Sequence, residues 1–177
     1  MAATVDATPE AIAAAVGSPL PNVQRFWPAI RDALKERGMG DPACVVAALA
    51  TVATEVDTFA PVAEHGTDAE LEARYHGKLG NVHPGDGARY RGRGFVQLSG
   101  RLNYHNYGRM LGVDLESDPD QALQPGTAAR LLAAYFQDHG VCKLARAGEW
   151  QAVRKAVNGG LNGWPKFSAL VAKLQAL

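Results

Sequence analysis

Apolar positions recur at three- and four-residue steps along most of the chain, the period of helices that bury one face. Thr8-Pro9-Glu10 reads as a helix start: a capping hydroxyl, a proline where its missing N–H costs nothing, then an acidic residue. That helix stops at Gly17-Ser18-Pro19. Val23, Phe26, Trp27, Ile30 and Leu34 predict a second helix from Asn22 to Arg37, kinked or begun at Pro28 and ended by Gly38 and Gly40. Asp41-Pro42 opens a third. Val45, Val46, Leu49, Val52, Ala53 and Val56 give it a broad apolar face, that of a central buried helix, and Glu55 falls in its last turn.

After Phe59-Ala60-Pro61 the periodicity breaks. An irregular link carries Glu64 and His65; Asp68 then caps a short acidic helix over 69–75, whose Glu70 and Glu72 read as a solvated face. Residues 77–94 predict a glycine-rich loop with room for a small hairpin, in which Asp86, set between two glycines, reads as a turn-former. Helical spacing returns from Ser99 or Gly100 to Leu111, with Asn103, Tyr104 and Tyr107 inward. Asp118-Pro119 starts a short turn, and 125–139 form a helix with Leu131, Leu132, Tyr135 and Phe136 inward. Another helix, 149–157, stops at Asn158-Gly159-Gly160, and a last one runs over 164–174. The prediction is a single, mainly α domain over 1–177: N-terminal helices in 1–40, a core over 41–163 and a closing helix from 164.

Composition narrows this picture. A chain of 177 residues buries roughly two-thirds of its unfolded surface, and 47% hydrophobic content supplies the core. Basic and acidic residues number 18 each, so no bulk charge draws the chain to nucleic acid or a membrane. The local basic run Arg89, Arg91, Arg93, Arg101, interleaved with Tyr90 and Phe95, leads into apolar residues and reads as loop bracing rather than an RNA contact. Cys44 and Cys142 fit no metal spacing and read as buried thiols rather than a disulfide. The histidines are scattered without metal-ligand spacing, so no metal is expected. The N-terminal stretch MAATVDATPEAIAAAVG lacks a signal-peptide pattern, and no apolar run approaches the roughly 20 residues of a membrane span. The expectation is a monomer made in the cytoplasm, without stable membrane insertion.

The candidate chemistry is a pair of carboxylates. Splitting a glycosidic bond takes one protonated acid and one ionised base or nucleophile. Glu55 borders an apolar face near the negative end of a helix; both effects disfavour its ionised form, which suits an acid. Glu64, in a solvated link, suits the base. Asp57, Asp86, Glu70 and Glu72 compete for these parts, and the alternative reading of Glu55 is a helix-end glutamate paired with an arginine. Ser99 has no Asp-His arrangement in view, and its hydroxyl suits the holding of a water better than nucleophilic attack.

The motif RYRGRGFVQLSGRLNYHNYG, preceded by LGNVHPGDG and followed by VNGGLNG, resembles glycoside hydrolase family 19, most of all its lysozyme-like phage endolysins and more distantly its chitinases. The resemblance runs over 45–163. It implies a lysozyme-like, two-lobed helical fold whose glycine-rich loop lines a substrate cleft, an inverting mechanism and no cofactor. It assigns the acid to Glu55, the base to Glu64 and water positioning to Ser99, with Gln97, Asn103, Asn158, Tyr90 and Arg93 as sugar contacts. Where the family commonly has His-Glu-Ser or His-Glu-Thr, this chain has Thr54-Glu55-Val56. The implied substrate is the glycan strand of peptidoglycan, reached by a protein made in a host cytoplasm and released through a membrane pore, for host lysis. A chitinase and a catalytically impaired glycan-binding protein are the alternatives.

Overall fold

Thr8 caps α1 (Pro9–Val16) through its hydroxyl, and Gly17, in the left-handed region, ends it. These are local signals, and the structure keeps them. The computed structural model describes residues 6–177; residues 1–5, the start of the stretch read as lacking a signal peptide, lie outside that range. The chain divides into two compact units, 1–60 with 132–177, and 61–131. These boundaries differ from the subdivision at 40 and 163 read from the sequence.

In the first unit α2 (Leu20–Glu36) begins earlier than the periodicity suggests and runs through Pro28 unbroken. Pro28 is exposed, so the carbonyl that its ring leaves unbonded faces water. The expected restart at Pro28 is therefore corrected. α3 (Pro42–Glu55), capped by the Asp41 carboxylate, buries every residue from Cys44 to Ala53 and is the central helix expected. Around it pack α8 (Val141–Arg146) and α10 (Trp164–Gln175), while α1 rests on α2 and α10. α7 (Pro125–Asp138) and α9 (Trp150–Asn158) complete the helices of 125–177.

α8 was absent from the sequence reading because six residues are too few to display a period. Its position corrects a second expectation. Cys142 on α8 and Cys44 on α3 form a disulfide. Helices from distant parts of the chain bring the two Cα atoms to 4.7 Å, inside the range that a bridge spans. No pattern on either helix alone reveals that approach.

The second unit holds the acidic helix α4 (Asp68–Tyr75), the one-turn helix α5 (Asp86–Arg89), α6 (Arg101–Leu111) and a short turn at Pro119–Leu123. Thr67, not Asp68, caps α4: its hydroxyl accepts from the Glu70 N–H and the Glu70 carboxylate accepts from the Thr67 N–H. The β structure is a pairing of β1 (Val62–Ala63) with β2 (Arg93–Gly94), Val62 opposite Gly94 and Ala63 opposite Arg93. Arg93 also bridges Leu98. The small hairpin allowed within 77–94 therefore lies at the end of that range and beyond it.

Glu72 departs from the solvated role read for it. It accepts from the N–H groups of Gly85 (3.0 Å) and Gly87 (2.8 Å), and a side chain at Gly87 would collide with it. The glycine-rich loop is thus tied to α4. Asp86 is the turn-former expected, accepting from the Val82 and His83 N–H groups. The Gly85 N–H, above all, holds the Glu72 carboxyl below its ordinary 4.5. A depressed carboxyl contributes stability above its unfolded pKa, lost as pH falls through the folded value. Amide exchange at Gly85 and Gly87 is expected to accelerate below about pH 4, relative to amides within α3, and Glu72→Gln to remove most of that acid dependence.

Candidate active site

The side chains read as catalytic fall into two groups, one in each unit. In the first, α3 delivers Glu55 at its last residue, where the chain leaves the buried core. The Arg154 Nη1 of α9 pairs with Glu55 Oε1; these side chains are only 3% and 15% exposed. Arg154 also donates through Nε to the Asn162 carbonyl at 2.6 Å, so the segment after Asn158 is fastened to the residue that holds Glu55. A side chain at Gly163 would meet Thr54 and Arg154 at 3.2 and 3.3 Å, which shows how closely that segment lies over them. Thr54 turns its hydroxyl back on the Ala50 carbonyl (2.7 Å). Burial holds the Tyr135 phenol above its ordinary value, with the Asp138 and Glu55 charges adding to the effect.

Glu55 is therefore not a solitary carboxylate on an apolar border; it has a buried cationic partner, the arginine pairing that the alternative reading of Glu55 allowed. Arg154 was missed in the sequence. Its signal was present: it lies next to Val153 on α9, one turn from Asn158, and both Arg154 and Val153 are buried. A charge on a buried face requires a counter-charge. Asn158, the last residue of α9, is exposed.

In the second unit the structure brings Glu64, Gln97 and Ser99 together around Gly92, with Asn103 bonded to Ser99. Glu64 Oε1 accepts from Arg74 Nη1 at 2.5 Å and from the Tyr75 hydroxyl at 3.0 Å. Its Oε2 accepts from Tyr75 at 2.9 Å and from the Gly92 N–H at 3.2 Å. Arg74 and Tyr75, both of α4, hold the Glu64 side chain and carry no signal in the sequence. Burial raises the Tyr75 phenol above its ordinary value, and the bond to Glu64 adds to that. Gln97 sits at φ 52°, a left-handed conformation uncommon for a residue with a side chain. Its amide donates to the Val62 and Gly94 carbonyls, both at 3.0 Å, which turns its carbonyl oxygen toward Gly92. Ser99 donates to the Gln97 carbonyl at 2.9 Å, leaving its lone pairs as acceptors. Asn103 donates to the Ser99 carbonyl at 2.8 Å.

Gly92 is glycine for want of space. A Cβ there would stand 2.9 Å from Gln97 Oε1, 3.2 Å from Ser99 Oγ and 3.3 Å from Glu64 Oε2. Three polar oxygens from two segments of the chain thus crowd the place a Cβ would take. Gly92→Ala is expected to displace them by a few tenths of an ångström and lower glycan hydrolysis about tenfold, with the melting temperature little changed; steady-state kinetics and calorimetry check both. A cavity of about 410 Å³ runs along 61–66, bounded by Glu64, Arg91 and Leu123.

Tyr90 and Arg93 do not join this group. Tyr90 is 1% exposed, packs against Tyr104 with ring centres 5.4 Å apart and spends its hydroxyl on the Glu116 carbonyl. It is core, which corrects its reading as a sugar contact. Arg93 donates to the Arg89 carbonyl at 2.9 Å and the Tyr104 hydroxyl at 3.1 Å, and pairs with Asp120. It braces the loop, as do Arg89 on the Ser117 carbonyl, Arg91 on Asp68 and Arg101 beside Asp86. Among the described residues no group of three His, Cys, Asp or Glu side chains could hold a metal ion, and no helix is long and apolar enough to cross a membrane.

No family model matches the chain. It is 35% identical over 91 residues to a glycosyl hydrolase family 19 domain-containing protein of Haemophilus influenzae, a match covering 50% of this chain and 44% of that protein. It is 39% identical over 70 residues to basic endochitinase B of Arabidopsis thaliana, covering 37% of this chain and 21% of the endochitinase. The chain is a relative of the family 19 glycoside hydrolases. It spans less than half the length of the relatives it matches. Chitinase C from Streptomyces griseus superposes with a TM-score of 0.66 at 18% identity, over 95% of this chain and 92% of that one. A bacterial family 19 chitinase superposes at 0.59, also at 18% identity, over 94% of both. At that identity the likeness is one of fold. The mainly helical family 19 fold expected from the motifs is the fold observed.

Proposed function

We propose that the chain hydrolyses β-1,4 glycosidic bonds of peptidoglycan glycan strands by inversion, as a phage-type endolysin acting on the wall of a host cell. The observation that carries this is the convergence of Glu64, Ser99 and Gln97 oxygens around Gly92, residues that the family 19 resemblance assigns to base, water holding and sugar contact. In the proposed reaction Glu55 gives its proton to the leaving oxygen. Ser99 and Glu64 hold a water, and Glu64 takes its proton as the water attacks the anomeric carbon from the opposite face. Donors from Arg74, Tyr75 and the Gly92 N–H hold the Glu64 carboxylate in place for that step. Arg154 fixes the position of the Glu55 side chain. Gln97 and Asn103, with Asn158 on the other unit, are the proposed sugar contacts. The protein is proposed to act as a monomer, without a cofactor, after the cytoplasmic membrane has been breached.

The endochitinase relatives favour one second reading, hydrolysis of N-acetylglucosamine polymers. Purified walls and chitin oligosaccharides, digested in parallel and followed by proton NMR, separate the two. The proposal expects wall digestion to exceed chitin digestion and the first product to carry the inverted anomer. Preference for chitin would favour the second reading, and a retained anomer would exclude Glu64 as a base.

A further inference from the structure

A cavity of about 720 Å³ in the second unit is lined by three arginines, Arg89, Arg91 and Arg93. Its volume falls in the range, roughly 300–1,000 Å³, of pockets that take small ligands. The cations are fixed in place. Arg91 donates through Nε to the Ala88 carbonyl at 2.8 Å, and Arg93 is 8% exposed and tied to the carbonyls of Arg89 and Arg91.

Their counter-ions are not fixed in the same way. Asp68, paired with Arg91, has an 81% exposed side chain, and Asp120, paired with Arg93, one 73% exposed. Each aspartate stands largely in solvent, so an incoming carboxylate can compete with it for its arginine. The same wall carries Asp118, also exposed. A plain polyanion would be repelled by these aspartates, and a neutral sugar would leave the arginine charges unmatched. Arg91 also borders the cavity beside Glu64, so a ligand here would lie next to the proposed base.

We propose that this cavity binds a short peptide bearing several carboxylates and one free ammonium group, the chemistry of the stem peptides attached to wall glycan. The carboxylates replace Asp68 and Asp120 on Arg91 and Arg93, and the ammonium meets Asp118 and the displaced aspartates. The inference rests on the reading of wall glycan as the substrate and adds that the enzyme grips the peptide as well as the sugar.

The test uses the full chain and the synthetic tetrapeptide N-acetyl-alanyl-γ-glutamyl-diaminopimelyl-alanine, with no sugar attached and the diaminopimelyl side-chain amine as its one ammonium, followed by amide chemical shifts. Expected are shifts at 68–72, 85–93 and 117–120, affinity weakened about tenfold when the diaminopimelyl side-chain amine is acetylated, and loss of that discrimination in Asp118→Asn. Absence of shifts at these positions, or equal affinity for the acetylated peptide, would overturn it. The probe has no glycosidic bond, so this outcome does not depend on hydrolysis. Wall digestion without peptide binding removes this inference alone. Peptide binding without digestion supports it while removing the proposed function.

Discussion

Glu55→Gln is expected to lower wall-glycan hydrolysis by about a thousandfold, within the ~10²–10⁴ that a general acid contributes. The amide has the shape of the acid and can still accept a hydrogen bond from Arg154, so the end of α3 stays in place. What it lacks is a proton to give. The prediction is therefore a fall in kcat with little change in KM, because the lost interaction is made in the transition state. Clearing of outer-membrane-permeabilised cells, with a melting curve of the same preparation, checks it. A variant that keeps more than a tenth of the activity would show that Glu55 is not the acid.

Arg154→Ala is expected to cost about 3 kcal/mol of stability, the lower part of what breaking a buried ion pair costs. The low end is chosen because Glu55 is 15% exposed and recovers some hydration. For a chain of this size that corresponds to a melting temperature lower by roughly 6–12 °C. The loss has two parts: Glu55 is left without its cation, and the Asn162 carbonyl without its donor. Removing the carboxylate as well should restore part of the stability, so Arg154→Ala combined with Glu55→Gln is expected to melt above Arg154→Ala alone. If the double variant melts lower, the pair is not coupled as described. Arg154→Lys keeps a charge but not the two-pronged geometry, and intermediate stability is expected from it.

Much of the fold was legible because its signals are local. The caps at Thr8 and Asp41, the stops at Gly17 and Gly159 and the apolar run of α3 each act within a few residues, and all appear where the sequence puts them. Glu55 could be located for that reason, being where the apolar run ends. What eluded the sequence depends on pieces far apart in the chain. Arg154 meets Glu55 across 99 residues, and Cys44 meets Cys142 across 98. Arg74 and Tyr75 reach Glu64 only because β1 pairs with β2 and draws the link back to Gly92.

The family resemblance misled at Tyr90 and Arg93, whereas the arginine run on its own read as loop bracing. An aromatic ring and a cation among glycines look like a sugar platform, yet the glycines let the chain fold tightly enough to bury both. The glycines also explain what was read correctly. Gly92 admits three oxygens where any side chain would part them, and the Gln97-Leu98-Ser99 turn supplies two of the three. That segment was recognisable because its residue types are set by close approach, which leaves little freedom in sequence.

The central claim is that this chain cuts the glycan strand of a bacterial wall at its β-1,4 bonds using Glu55 and Glu64. Mass spectrometry of purified peptidoglycan digested by the wild type, Glu55→Gln and Glu64→Gln tests it most directly. The account predicts disaccharide-peptide fragments with new reducing ends from the wild type and almost none from either variant. Free peptides released from intact glycan, or equal fragment yields from all three proteins, would contradict it.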